Sequence, residues 1–268
     1  MKTAKISIIA LLCLMIFSLL FAGSVYAKID PKTVVGLWLF NEGKGDTTKD
    51  LSGNGNDGTL MVKPKWVDGK FGKALEFDGT ASYVDCGNNE IMTMTKEVTV
   101  EFWIRNDKKM VVFDDRQAVV GKHYLEYEVG IYPSGMIHTY TSDGAGNYDE
   151  GINCANAKGD WPLGEWHHLA WTLKGKHEIV YVDGIKVGEF DKPHEGTKPG
   201  VHKLEIGRRV EGGLPLKGAV DEVLVANVAL TQVEIDTCMI DGLEKALGFV
   251  AVSPAGKLAA YWGNIKAK

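Results

Sequence analysis

The stretch VVGLWLFNEGKGDTTKDLSGNGNDGTL, residues 34–60, continued after a spacer by WVDGKFGKALEFDGTASYVD, residues 66–85, decides the fold. An apolar run enters a long segment of Gly, Asn, Asp, Ser and Thr, leaves through a short run and reaches the tight turn Phe77-Asp78-Gly79. Apolar runs separated by such turn residues read as paired strands. The same segment is rich in oxygen donors: Asp50, Ser52, Asn54 and Asn56 alternate with Leu51, Gly53 and Gly55. Glycine permits the sharp turning that brings oxygens towards one point, and a hard cation such as calcium takes about six to eight of them. The other reading is that these side chains hydrogen-bond their own turn.

The strand pattern continues downstream. In residues 98–105, Val98, Val100, Phe102 and Ile104 point one way, and Thr99, Glu101, Trp103 and Arg105 the other. That is a strand with one face in a core. Residues 125–132 and 136–141 flank Pro133-Ser134-Gly135 and predict a hairpin. Residues 166–173, 178–182 and 185–190 predict three more strands, the last two joined by the two-residue turn Asp183-Gly184. Residues 203–208 and 217–227 complete the set, and Thr231 with Glu234 is a capping box that opens a short helix. Residues 142–165 are the longest irregular stretch, and such a loop in a compact domain is expected to be functional or mobile. The prediction is all-β: a two-sheet antiparallel β-sandwich with one short C-terminal helix.

The two ends read differently. Lys2 and Lys5 precede the apolar run 6–22, and Val25-Tyr26-Ala27 supplies a cleavage site. Residues 1–27 are therefore expected to be a cleaved signal peptide, which implies a secreted protein with no membrane span in the mature chain. A span wants ~20 apolar residues, and Ser7 and Ser18 interrupt this run. One domain over 28–241 and a C-terminal extension over 242–268 follow. Cleavage removes two lysines and no acidic residue, taking the formal charge from −5 to −7. An acidic chain without a basic run is a poor partner for nucleic acid or anionic membranes and leaves neutral polysaccharides open. Cys86, Cys154 and Cys238 remain, enough for at most one internal disulfide and one spare thiol.

Seven segments carry a family resemblance. They are GLWLFNEGKG (36–45), DLSGNGNDGTL (50–60), GKFGKALEFDG (69–79), VTVEFWI (98–104), GEWHHLA (164–170), YVDG (181–184) and VDEVLVANVAL (220–230). In this order they resemble the laminin-G-like, concanavalin A-like lectin/glucanase jelly-roll domain of bacterial secreted proteins. The resemblance implies a jelly roll, often with bound calcium and a carbohydrate-binding or adhesive role. It implies no reaction, because this fold hosts lectins, glucanases, lyases and protein-binding modules. It also implies that the first loop and the last strand lie close together, which would bring Asp221 to Asp50, Asn54 and Asn56 as a calcium site. Asp221 stands on an apolar strand with its side-chain direction shared by Ala219, Val223 and Val225, and a buried carboxylate there needs a partner.

The glycan-binding candidates are Trp103, Glu126, His138, Tyr140, Tyr148 and Trp161. Aromatic rings stack on sugar C–H faces and carboxylates accept hydroxyl hydrogen bonds. Against this stands a second buried aromatic layer. Glu126 and Glu128, two apart on a predicted strand, would share a face about 7 Å apart. Their side chains could reach the ~5–5.5 Å of a retaining glycosidase. The Glu-x-Asp-x-x-Glu stretch that glucanases of this fold carry is absent, so a solvated strand face is the simpler reading. His167 and His168 are adjacent and face opposite sides of a strand. No serine elbow, HExxH or phosphate loop occurs. The expected function is non-catalytic carbohydrate or matrix binding, with a surface-protein partner as the alternative and a glycosidase or lyase behind both.

Overall fold

The computed structural model describes residues 29–143, 148–149, 154–155 and 161–248. The expected signal peptide, the chain beyond residue 248 and the side chains of Tyr148 and Cys154 lie outside the described residues. In chain order the first strands are β1 (Val34–Trp38), β2 (Thr47–Thr48), β3 (Gly58–Met61), β4 (Lys65–Asp68), β5 (Lys73–Asp78) and β6 (Tyr83–Asp85). Next come β7 (Glu97–Asn106), β8 (Gln117–His123), β9 (Tyr127–Ile131), β10 (Met136–Ser142), β11 (Tyr148–Asp149) and β12 (Cys154–Ala155). The last are β13 (Trp166–Lys174), β14 (His177–Val182), β15 (Ile185–Asp191), β16 (Glu205–Ile206) and β17 (Lys217–Ala226), followed by helices α1 (Gln232–Asp241) and α2 (Leu243–Ala246).

Two antiparallel sheets result. One has eight strands in the order β15-β14-β13-β7-β17-β5-β4, with β1 also paired to β17. The other has nine in the order β11-β10-β9-β8-β16-β6-β3-β2, with β12 also paired to β10. The core lies between them. Val98, Val100, Phe102 and Ile104 of β7 meet Tyr127, Val129 and Ile131 of β9 in one cluster. Two polar ties cross it. Thr139 of β10 donates to Glu178 of β14 at 3.0 Å, and Gln117 of β8 accepts from the Lys217 amide of β17 at 2.6 Å. Glu178 also takes Trp171 Nε1 and the Lys192 ammonium, so its buried charge is compensated.

A second cluster lies on the outer face of the eight-stranded sheet. Ile235 and Cys238 of α1 and Leu243 of α2 cover Val34, Leu37, Ala170, Leu224 and Ala226. Thr231 caps α1 and Glu234 bonds back to it, the box expected from sequence. Packing runs past residue 241 into the extension, because Leu243 and Leu247 belong to this cluster.

The opening stretch is explained by β1, which is buried on both faces. Val35 and Trp38 face the central core, and Val34 and Leu37 face the second cluster. Two buried faces make a strand apolar throughout rather than alternating. One edge of β1 pairs with β17. The other edge is closed by side chains of the 50–56 loop. The Asp50 carboxylate accepts from the amides of Leu37, Ser52 and Asn56 at 2.9–3.0 Å. Asn54 donates to the Val34 carbonyl and Asn56 to that of Val35. Trp38 Nε1 donates to the Asn56 carbonyl at 2.9 Å. Gly36 gives the Trp38 ring its place, since a Cβ there would come within 2.4 Å of it.

Asp50→Ala leaves three backbone N–H groups without this acceptor. A buried unsatisfied donor costs about 1–3 kcal/mol, so an overall loss of about 3 kcal/mol is expected in denaturant unfolding. A change under about 0.5 kcal/mol, the size of an ordinary surface substitution, would contradict the closure of β1 by this loop.

Candidate functional site

With part of one outer face covered by α1 and α2, the outer face of the nine-stranded sheet carries a polar layer that is itself largely buried, Glu128 at 2%, Glu205 at 4% and Tyr140 at 8% exposure, with the Arg208 and Arg209 side chains at 18% and 17%. Strand register lines up one residue from each of five strands. Tyr140 of β10 pairs with Glu128 of β9, Glu128 with Gly121 of β8, Gly121 with Glu205 of β16, and Glu205 with Asp85 of β6. Four inter-strand steps make this row roughly 19 Å long. Their neighbours Tyr127, Val129, Ile206 and Val84 lie in the core, so the row itself faces outward.

Two arginines from the segment after β16 lie on this row and grip different glutamates. Arg209 Nε and Nη2 meet Glu128 at 2.6–3.1 Å, and its guanidinium lies 5.0 Å from the Tyr124 ring and 5.1 Å from the Tyr140 ring. Arg208 Nε and Nη2 meet Glu205 at 2.6 and 3.2 Å, and its guanidinium lies 3.3 Å from the Tyr83 ring. Gly121 separates the two clamps. A Cβ there would come within 2.7 Å of the Glu128 backbone, so the floor between them stays flat. Fork-on-carboxylate pairing fixes both partners, and each guanidinium keeps further N–H groups for a ligand.

Beyond Tyr140 the aromatic layer continues. His138 stacks between Tyr132, centroids 4.3 Å apart, and Tyr140, 4.0 Å apart. Burial drives the His138 pKa down to about 3, and the Arg209 and Arg116 charges add to the shift. This ring is neutral at physiological pH. At the other side Glu126 accepts from His202, whose Nδ1 lies 2.6 Å away, and from the fully buried Lys122 at 3.2 Å. His202 stacks on His123 with centroids 4.2 Å apart.

The predicted residues therefore separate. His138 and Tyr140 sit in the aromatic layer of this face. Glu126 borders it, in the turn before β9 rather than on a strand with Glu128. Trp161 lies at one end of the sandwich, 5% exposed, and donates to the Met136 carbonyl. Trp103 is on the opposite outer face, packed against Phe71, His168 and the Lys70 ammonium. The alternation in 98–105 is as expected, but β7 belongs to the other sheet. Arg208, Arg209, Tyr83 and Tyr132 belong to this face as well. Their signal in the sequence is the adjacent arginine pair after Gly207 in an acidic chain.

The four residues considered for calcium do not fit a shared ion. Both Asp50 oxygens take backbone amides, and the Asn54 and Asn56 side-chain amides hold β1. Asp221 serves another segment, accepting from the Phe71 amide at 2.9 Å. Its direction also differs from the sequence expectation. A bulge between Asp221 and Leu224, with Glu222 at φ 53°, flips the alternation. Val223 and Val225 then face the core, while Leu224 and Ala226 face the second cluster. No group of three or more His, Cys, Asp or Glu side chains suited to a metal occurs among the described residues. Cys86 and Cys238 are free thiols in separate clusters.

A family model described as the concanavalin A-like lectin/glucanases superfamily matches residues 78–236. The chain belongs to this superfamily. Its fold is similar to domain 4 of AbnA, a GH43 extracellular arabinanase from Geobacillus stearothermophilus, solved in complex with arabinotriose. The TM-score is 0.60 at 17% identity, covering 76% of this chain and 97% of that one. It is also similar to the binding domain of Paraclostridial Mosquitocidal Protein 1, with TM-score 0.63 at 16% identity over 79% of this chain. A third is the binding domain of Botulinum neurotoxin DC in complex with rat synaptotagmin II, with TM-score 0.61 at 14% identity over 79% of this chain. This superfamily member spans 52% of the length of each toxin domain. No curated protein matches its sequence.

The superfamily member also buries carboxyls beside Trp103. Glu101 is fully buried with the Cys238 thiol as a hydrogen-bond partner, and burial pushes its pKa to about 8, with Glu222 and Glu234 adding repulsion. Asp221 is likewise raised by burial to about 8 and Glu222 to about 7. His168 beside Trp103 is lowered by burial to about 3, and His123 to about 4. The raised carboxyls stay protonated in the folded chain where the unfolded chain has ionised, so they lose stability as pH rises from ~4 to ~8. The depressed histidines lose stability as pH falls below ~6.5. The two sets oppose each other between ~4 and ~6.5; above that the carboxyls act, and the exposed His177, raised by its bond to Asp191, adds in the same direction. Unfolding free energy should therefore fall between pH 6.5 and 8, on the order of 1.4 kcal/mol per pH unit for each ionising carboxyl, and Glu101→Gln should flatten the slope. A flat or rising profile in the parent chain would contradict these assignments.

Proposed function

We propose that this chain is a secreted, non-catalytic carbohydrate-binding module that holds a glycan along the outer face of the nine-stranded sheet. The observation that carries this reading is the pair of arginine–glutamate clamps, each against a tyrosine ring, on either side of Gly121. Aromatic faces suit sugar C–H surfaces, and fixed polar groups suit hydroxyls without ordering cost at binding. The clamps neutralise one another in pairs, which favours a neutral glycan over a charged one. AbnA domain 4 offers a precedent for an oligosaccharide on this fold.

Two features speak against turnover by Glu126 and Glu128. Glu126 is held by Lys122 and His202, and Glu128 by Arg209. Both carboxylates are thus occupied by protein partners rather than open to a substrate. The second reading, a surface-protein partner, draws on the toxin domain solved with synaptotagmin II. The superfamily assignment and the apolar segment 6–22 support an extracytoplasmic setting.

Affinity electrophoresis through a panel of soluble polysaccharides, arabinan included, tests the proposal in calcium and in chelator. At least one polysaccharide should retard the chain in both. Arg209→Ala and Tyr124→Ala should each weaken retention more than tenfold, and Trp103→Phe should leave it intact. Retention by no polysaccharide, or equal retention of the Arg209 and Tyr124 variants, would overturn it.

A further inference from the structure

A cavity of about 330 Å³ lies at one end of the sandwich, lined by Asn106, Lys109, Met110, Ser134, Trp161 and Leu163. The end of β7, the turn between β9 and β10 and the segment entering β13 converge there, and Asn106 bridges to Leu163. The volume is at the lower end of the range of pockets for small organic ligands, ~300–1,000 Å³.

The walls are fixed and most of their polar groups are engaged. Trp161 Nε1 donates to the Met136 carbonyl. Asn106 accepts from the Lys108 amide and from Gln117 Nε2, and donates to the Lys108 carbonyl. Gln117 Nε2 also contacts Met110 Sδ at 3.4 Å. Two polar groups stand apart from this network. Among the described residues Lys109 forms no ion pair, while Asp115 is held by Lys108 at 3.1 Å and Asp107 by Arg105 at 2.7 Å. The Ser134 hydroxyl is carried by an exposed residue at φ 62°, a left-handed conformation that only the surrounding turn maintains.

An indole, a thioether and a leucine side chain with one ammonium and one hydroxyl define a ligand class. We propose that this cavity binds a single-ring monocarboxylate, its apolar face on Trp161 and its carboxylate on Lys109. A carboxylate gains a charge-assisted hydrogen bond from the exposed Lys109 ammonium that a neutral ligand cannot. A dicarboxylate would press its second charge against the apolar wall, which is unfavourable. The shared chemistry covers a sugar acid and an aromatic acid, and the test separates them. The site is distinct from the arginine–glutamate row and does not rest on the glycan reading.

Ligand-observed NMR titration of the intact chain uses two pairs of probes: galacturonate against galactose, and benzoate against benzyl alcohol. At least one acid should bind with a Kd on the order of 1 mM, as a ligand of this size allows, and its neutral counterpart at least tenfold more weakly. The pair that shows the difference identifies the source. Lys109→Met should bring the acid down to the neutral compound, a loss of about tenfold or more, while polysaccharide retention stays as in the parent. Ser134→Gly removes the hydroxyl and suits the left-handed backbone, so it should weaken the acid several-fold in a folded chain. Equal binding of acid and neutral probes, an unchanged preference in Lys109→Met, or no binding of either acid at about 10 mM would overturn the proposal.

Discussion

Burial of β1 on both faces and both edges is the constraint on which the structure depends. The strand lies between the central core and the cluster under α1, so nothing along it can be polar. One edge is matched by β17. The other would expose carbonyls and an amide to a low-dielectric interior, where each unpaired group is costly. The 50–56 loop meets that demand with a carboxylate and two carboxamides. The oxygen donors that read as a cation site are thus directed at backbone.

Closing that side determines where binding can occur. A sandwich has two outer faces. Here α1, α2 and the second cluster take one, and carboxyls without cations make it a poor surface for hydration. The other keeps its charges, and it keeps them in pairs. Arg208 and Arg209 are neighbours in the chain yet grip Glu205 and Glu128 on opposite sides of Gly121. A row of rigid polar groups between tyrosines suits a polyhydroxylated ligand better than a single reactive centre.

Much of the fold was legible. Val98 to Ile104 alternates as a strand with one buried face should, Asp183-Gly184 turns β14 into β15, and Thr231 with Glu234 opens α1. The site was legible only in part, because alternation gives a residue's face but not the sheet its strand joins. Trp103 and Tyr140 both point outward, from opposite sides of the molecule. The bulge at Glu222 was hidden as well, since its left-handed φ belongs to a glutamate rather than a glycine. Arg209 acts across more than eighty residues of chain to reach Glu128, a contact that no local pattern contains.

Amide chemical-shift mapping is the most direct test of where the ligand lies. An isotope-labelled chain would be titrated with an oligosaccharide cut from a polysaccharide that retains it. Shifts concentrated at Tyr83, Gly121, Tyr124, Glu128, Tyr140, Arg208 and Arg209 are the predicted result. Shifts centred on Phe71, Trp103 and His168, with the arginine row unmoved, would contradict it.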